Sequence, residues 1–339
     1  MDAVHAARLT AQGLSGAPAT SVHDVVERLL AVQGQDGRGF RLAVRSRSTG
    51  LSASDVDQAL AERRLVVSWL NRGTLHLVRA EDWPWLHALT TPQLRTGNTR
   101  RLQQEGVDPA AARRGVDVVR RALEDGPMTR AQLREVVAAA DVPVAGQALV
   151  HLLGLATLDG VCVRGPMVDG GQAFVAVRDW LGEPPPVDRD RALAQLALRY
   201  LAGHGPAGAA DLARWAGLPL RDARSGLRAA ADLLVELPCG LVDLPRHDEP
   251  APLQPPRLLG PFDPVLLGWC SRERVTAPHT ALVTVNGIFR AFALVDGRAV
   301  ATWGYAGGRA TVTPLEPYGD DVAQALDRDG RDVERFLTS

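Results

Sequence analysis

Apolar residues recur at helical spacing from the start of the chain. Residues 3–14 predict a short helix ending at Gly13. Ser21, with Asp24 three residues on, predicts a cap for a helix running to about Val32, its apolar face made of Val22, Val25, Val26, Leu29 and Leu30. Residues 40–46 alternate and read as either a strand or a short helix. Ser54 predicts a cap for a helix over 55–63. Residues 65–70 and 74–78 read as two strands joined at Asn71-Arg72-Gly73, and 81–89 as a helix rich in tryptophan. Helices followed by a hairpin follow the order of a winged helix.

The same order repeats. Past an arginine-rich stretch at 93–114, a helix is predicted over 115–123, then a Gly126-Pro127 turn and a Thr129-capped helix over 130–139. A third helix is predicted from Pro143 to about 155, with strands near 157–163 and 173–177 flanking a wing that contains Pro166 and Gly170-Gly171. Glu183-Pro184-Pro185-Pro186 reads as a stiff linker. Beyond it, Gly126-Pro127 and Leu133 recur as Gly205-Pro206 and Leu212, and Val142-Pro143 as Leu218-Pro219. Strands at 233–237 and 241–244 close this copy, and 245–256 is a second proline-rich linker. The last part changes character. Strands are predicted at 282–285, 288–295, 299–303 and 310–313, with hairpin signals at Asn286-Gly287 and Asp296-Gly297. A meander this short predicts a small barrel, closed by an acidic amphipathic helix over 320–337.

Composition narrows the chemistry. At 339 residues, with 46% hydrophobic and 23% charged, the chain reads as a multi-domain globular protein. No apolar run approaches the roughly 18 residues of a membrane span, and no basic-plus-apolar signal opens the chain, so a cytoplasmic, nucleoid-associated protein is expected, with no membrane. Cys162, Cys239 and Cys270 are far apart and odd in number; they read as small buried hydrophobes. The eight histidines show no metal-ligand spacing, so neither metal nor cofactor is expected. All 38 basic residues are arginine, which excludes a side-chain Schiff base, a pyridoxal-phosphate lysine and a Walker-type phosphate loop. The net charge of −1 does not by itself mark a nucleic-acid binder. Its distribution is uneven: residues 1–125 hold 17 arginines against 14 acids, and each later part is net acidic.

One stretch combines the chemical signals. In Ala31-Val32-Gln33-Gly34-Gln35-Asp36, two amides flank a glycine at the end of an apolar helix, and Arg38, Arg41, Arg45 and Arg47 follow. Amides that both donate and accept, beside fixed positive charge, suit work against a sugar–phosphate backbone. Asp36 reads either as a base or as a helix cap or arginine partner. His76, on a strand of the first wing, reads either as a satisfied half-buried histidine or as a DNA contact. Arg72 at the wing tip is placed for phosphate. The helix at Pro143 offers few base-reading side chains, which predicts a grip on backbone and shape more than on sequence.

These segments carry a resemblance. Gln12-Gly13-Leu14, the Gln33-Gly34-Gln35 stretch, residues 72–78, Pro261-Phe262-Asp263-Pro264 with the run to Trp269, and Val295–Arg298 with Thr302-Trp303 resemble the winged-helix DNA glycosylase superfamily of AlkZ/YcaQ type, which includes azinomycin-resistance glycosylases. The resemblance covers nearly the whole chain. It implies an α+β, mainly α, C-shaped fold of three tandem winged-helix units and a small C-terminal β-barrel around a concave DNA channel. It implies Gln33 and Gln35 as the catalytic residues; Gly34 stands where the family carries an aliphatic residue. It places Arg290, beside the Asn286-Gly287 turn, against duplex DNA; Arg38, Arg41, Arg72 and His76 are the DNA contacts expected from the residues themselves. Asp263 is expected to orient the approach to the barrel.

The expected boundaries are 1–92 for the first winged helix with the glutamines, 93–182 for the second, 188–245 for the third and 257–339 for the barrel with its closing helix. The expected function is a monofunctional DNA glycosylase releasing bulky N-alkylated purines, N7-alkylguanine adducts and interstrand crosslinks among them, for self-resistance to a DNA-alkylating natural product. The expected partner is double-stranded DNA carrying alkylated purines, bound by a monomer with no obligate protein partner. Two other readings stand beside it: a non-catalytic winged-helix DNA-binding regulator, and an interaction scaffold.

Overall fold

The structure, a computed structural model, describes residues 1–237, 240–245, 251–284 and 286–338. Cys239, part of the predicted linker at 245–256 and the end of the predicted strand 282–285 lie outside the described residues. The chain divides into two compact units. Residues 1–56 and 190–339 form the first, and residues 57–189 the second.

In chain order the first unit opens with α1 (Ala3–Ala11), α2 (Val22–Leu29), the two-residue strand β1 (Val32–Gln33) and α3 (Gly37–Arg45). Ser21 caps α2 by accepting from the Asp24 N–H. The ambiguous 40–46 stretch is helical because Asp36 caps it, its carboxylate accepting from the Gly39 N–H at 2.6 Å. The boundary between units falls within α4 (Ala53–Ala61), where Ser52, rather than Ser54, bonds Asp55.

The second unit continues with strands β2 (Leu65–Leu70) and β3 (Thr74–Arg79), then helices α5 (Trp83–Thr90), α6 (Leu94–Gln104), α7 (Pro109–Ala122), α8 (Arg130–Ala138) and α9 (Ala148–Leu158). Strands β4 (Cys162–Val168) and β5 (Gly171–Ala176) and a short α10 (Val177–Leu181) complete it. Within this unit the strands run in the order β3-β2-β4-β5, all antiparallel. Thr129 caps α8 in a full capping box with Gln132. The helices bury Leu102, Val116, Val119, Leu133, Leu149 and Leu152 together with Phe174 of β5.

The first unit resumes with α11 (Arg189–His204), α12 (Ala209–Ala216), α13 (Leu220–Ala229), the short antiparallel pair β6 (Val235–Glu236) and β7 (Val242–Asp243), and β8 (Arg257–Leu259). It ends with α14 (Glu273–Thr276), β9 (Phe292–Val295), β10 (Arg298–Ala306), β11 (Arg309–Pro314) and α15 (Asp320–Thr338). Here the expected barrel is corrected: the described residues form an open four-stranded antiparallel sheet in the order β11-β10-β9-β8. Helix α15 packs against both edge strands, β8 and β11, and its Leu326 and Val333 share a core with Ala293, Ala301 and Trp303. A helix laid over the edges shields them without strand closure. Cys162 is buried as expected. Cys270 is not: it is exposed at the end of the run from Pro261, where its N–H bonds Asp211, so it is no core hydrophobe.

Candidate active site

Helix α2 stops abruptly. Leu30 takes a left-handed φ of +62°, a conformation that side chains rarely adopt, and the chain turns into β1. Leu29, Leu30 and Val32 are fully buried, so packing holds the turn that the backbone alone disfavours. The packing is close. A Cβ added to Gly203 of α11 would lie 2.2 Å from the Arg28 carbonyl oxygen, so α11 rests on the backbone at the end of α2. Gln12, fully buried between α1 and this region, donates to the Gly203 carbonyl at 2.7 Å.

The turn delivers the two glutamines into unlike surroundings. Gln33 is buried, 7% exposed, and Gln35 is exposed. The Gln33 Nε2 donates to the Gln35 Oε1 at 2.7 Å, so the amides are paired across Gly34. Asp36 spends a carboxylate oxygen on the α3 cap, which is the second of its two readings.

The four arginines that follow divide into an outer and an inner pair. Arg38 is exposed, lies over the Tyr305 ring at 5.2 Å and donates to the Tyr305 carbonyl. Arg41 is half-buried over Phe40 and donates to the Gly37 carbonyl. Arg45 and Arg47 are internal. Arg45 binds the Asp329 and Asp332 carboxylates of α15 and the Leu258 carbonyl of β8. Arg47 forks onto Asp263 at 2.8 and 2.9 Å and donates to Gln12. Both guanidiniums are therefore neutralised inside the unit; Arg45 ties the end of α3 to β8 and α15, and Arg47 ties the segment after it to Asp263 and Gln12. Asp263 is fully buried, and one oxygen also accepts from the Val265 N–H, the orienting role expected of it. Gly39 and Gly260 permit this contact: a Cβ on either would lie under 3.0 Å from the facing segment.

The remaining predicted residues are dispersed. Arg290 is exposed in the first unit, its N–H bonded to the Leu282 carbonyl. Arg72 and His76 belong to the second unit. Arg72 is half-buried in the β2–β3 turn and lines a cleft of about 510 Å³ with Trp69, Leu94, Asn98, Arg101 and His151. His76 is 2% exposed, with Nδ1 against the Thr74 carbonyl at 2.9 Å. Burial, reinforced by the Arg72 guanidinium, pushes its pKa down to about 3, so the ring is neutral. Among the described residues one group has metal-ligand geometry, His23, Asp24 and Glu27 on the surface of α2.

The chain is similar to known proteins along nearly its whole length. The sequence model of the DNA glycosylase AlkZ-like family matches residues 26–336, from before the glutamines to α15. The chain belongs to this family. A Streptomyces sahachiroi relative of the AlkZ-like chain, described as an interstrand DNA cross-link repair glycosylase, is 28% identical over 358 residues, covering 98% of this chain and 95% of that protein. The solved structure of the Streptomyces sahachiroi DNA glycosylase AlkZ matches with a TM-score of 0.80 at 26% identity, over 98% of this chain and 95% of that one. The α+β fold of this AlkZ-like chain is thus that of a solved DNA glycosylase. Among its described residues no helix is long and apolar enough to cross a membrane.

Proposed function

We propose that this glycosylase hydrolyses the N-glycosidic bond of bulky N-alkylated purines in duplex DNA, N7-alkylguanines first, and opens interstrand crosslinks of the kind named for its Streptomyces relative. We read Gln33 and Gln35 as the catalytic pair. The observation that carries this is their hydrogen bond: a buried amide donating to an exposed one fixes the orientation of both side chains. N7-alkylation makes guanine cationic, so the C1′–N9 bond breaks with its electrons going to the base, which leaves neutral. Water adds to the oxocarbenium-like sugar and releases its proton to solvent. The amides orient that water and the sugar, a matter of positioning and electrostatics and not of strong base catalysis.

Arg38, Arg41, Arg72 and Arg290 are proposed to bear on phosphates, with His76 a neutral support beneath the turn that carries Arg72. The α7–β5 and α11–β7 segments are read as the second and third winged helices, with domain limits at 93–182 and 188–245, after a first at 1–92 and before a sheet-and-helix domain at 257–339. With every basic side chain an arginine, no lysine imine forms, and the product is an intact abasic site. Self-resistance to an alkylating natural product is the proposed role, in a monomer.

The test is incubation of purified protein with duplex DNA bearing one N7-alkylguanine. Release of the free base with the strand left intact is expected. Strand cleavage in step with base release would refute the monofunctional reading, and no release would refute the enzymatic one.

A further inference from the structure

Arg164 stands on β4 of the second unit without a counter-charge. Among the described residues its side chain makes no hydrogen bond and no ion pair, and its Nε is buried with no partner. The guanidinium lies against two rings, 5.0 Å from the centre of Trp69 and 5.2 Å from that of Phe174. Rings hold the stem and one face of the cation but satisfy none of its five donors. Burial, with repulsion from Arg130, lowers its pKa to about 10, so the site tolerates this charge instead of stabilising it. Arg130 is exposed at the start of α8, beside the Thr129 cap. Both arginines line a cleft of about 740 Å³ with Thr129, Gln132, Gln172 and Phe174. Two carboxylates, Glu135 and Asp169, also line it, and neither pairs with Arg164 among the described residues.

Arg164 is half-buried; a partly desolvated cation whose buried Nε lacks a partner is costly, and a second cation beside it adds to the cost. Such an arrangement is consistent with an anion as its missing element. The first turn of α8 lines the same cleft, with the Gln132 N–H taken by the Thr129 cap, and helix N-termini favour phosphate. We propose that Arg164 and Arg130 form a backbone clamp in the second unit that takes one phosphodiester of duplex DNA between β4 and the start of α8. The clamp rests on the reading of the chain as a DNA enzyme and adds a contact separate from the Gln33–Gln35 site. Arg164 is a positioning residue here, not a catalytic one, since it grips the duplex and touches no reacting atom. None of the sequence patterns above singles it out.

The experiment measures affinity for an undamaged duplex against salt for wild type, Arg164→Met and Arg130→Glu. Methionine keeps the apolar stem against both rings and removes the charge. Arg164→Met is expected to bind about tenfold more weakly, with the slope of log K against log salt reduced by about 0.9, one phosphate contact. Arg130→Glu gives Arg164 a carboxylate; its melting temperature is expected to rise while duplex affinity falls. A parallel arm follows the melting temperature in inorganic phosphate, and a rise that Arg164→Met abolishes, with duplex affinity unaltered, would reassign the clamp to a free anion and overturn the proposal. Wild-type binding with neither variant weakened would also overturn it, Arg130→Glu deciding the matter if Arg164→Met fails to fold. A wild type that does not bind duplex DNA would instead contradict the reading on which the clamp rests.

Discussion

Arg47 and Arg38 sit in one short run of sequence and end in opposite environments, and the side chains opposite them make the difference. Arg47 meets a buried carboxylate in fork geometry, whereas Arg38 meets the open face of Tyr305. Removing one member of a buried pair strands the other charge. Arg47→Met or Asp263→Asn is therefore expected to lower unfolding stability by about 3–5 kcal/mol, read from denaturant curves, while Arg38→Ala changes it by less than about 1 kcal/mol. His76 gives a residue-scale prediction in pH. Its folded pKa of about 3 lies below the ordinary value, so the unfolded chain binds the proton more readily. The stabilisation from the neutral buried ring is complete above about pH 6.5 and is lost as pH falls toward 3. Between pH 7 and 5 the wild type should lose about 2 kcal/mol that a His76→Gln variant does not lose. Equal pH dependence in the two proteins would contradict the burial argument.

At the scale of elements, the end of α2 is the critical join, and Gly203 is its tightest point. A methyl there meets the Arg28 carbonyl at 2.2 Å, a contact only backbone movement relieves. Gly203→Ala should cost about 1–3 kcal/mol and slow base release at least about tenfold by shifting the segment that carries Gln33. Gly97 is the control. It lies in α6 with open space around its would-be Cβ, so Gly97→Ala should leave the melting temperature unchanged or raise it.

The same elements show how far pattern alone reaches. The β2 and β3 strands and the capped α8 were legible from pattern joined to a turn or cap signal, and the closing α15 from its amphipathic pattern alone. Helix α6 was not, since its arginine-rich run buries only Leu102 and owes its helicity to packing on α7 and α9. The helix expected from Pro143 starts later, at Ala148, after Gly146 takes a positive φ. The three-residue β8 carries too little pattern to be read, and the barrel expectation failed because nothing in strand periodicity tells a closed sheet from one whose edges a helix covers. Of the candidate site, the spacing of the two amides was legible. The burial of one and the exposure of the other was not, because it follows from the Leu30 turn. That Arg45 and Arg47 face inward was equally hidden, their acidic partners lying more than two hundred residues away.

For the whole molecule, a net charge of −1 and a duplex substrate are compatible only if charge is sorted by place. Several arginines are spent internally; with those that remain exposed proposed to carry the association, binding to duplex DNA is expected to weaken steeply with salt. Chemistry is then separable from binding, because the amides carry no charge. The decisive measurement is single-turnover release of an N7-alkylguanine from duplex DNA by wild type, Gln33→Ala and Gln35→Ala, with duplex affinity measured on the same preparations. A fall of about 10²–10³ in the rate is expected for each variant, with affinity within about twofold of wild type. Rates that survive both substitutions in folded, DNA-bound protein would contradict it.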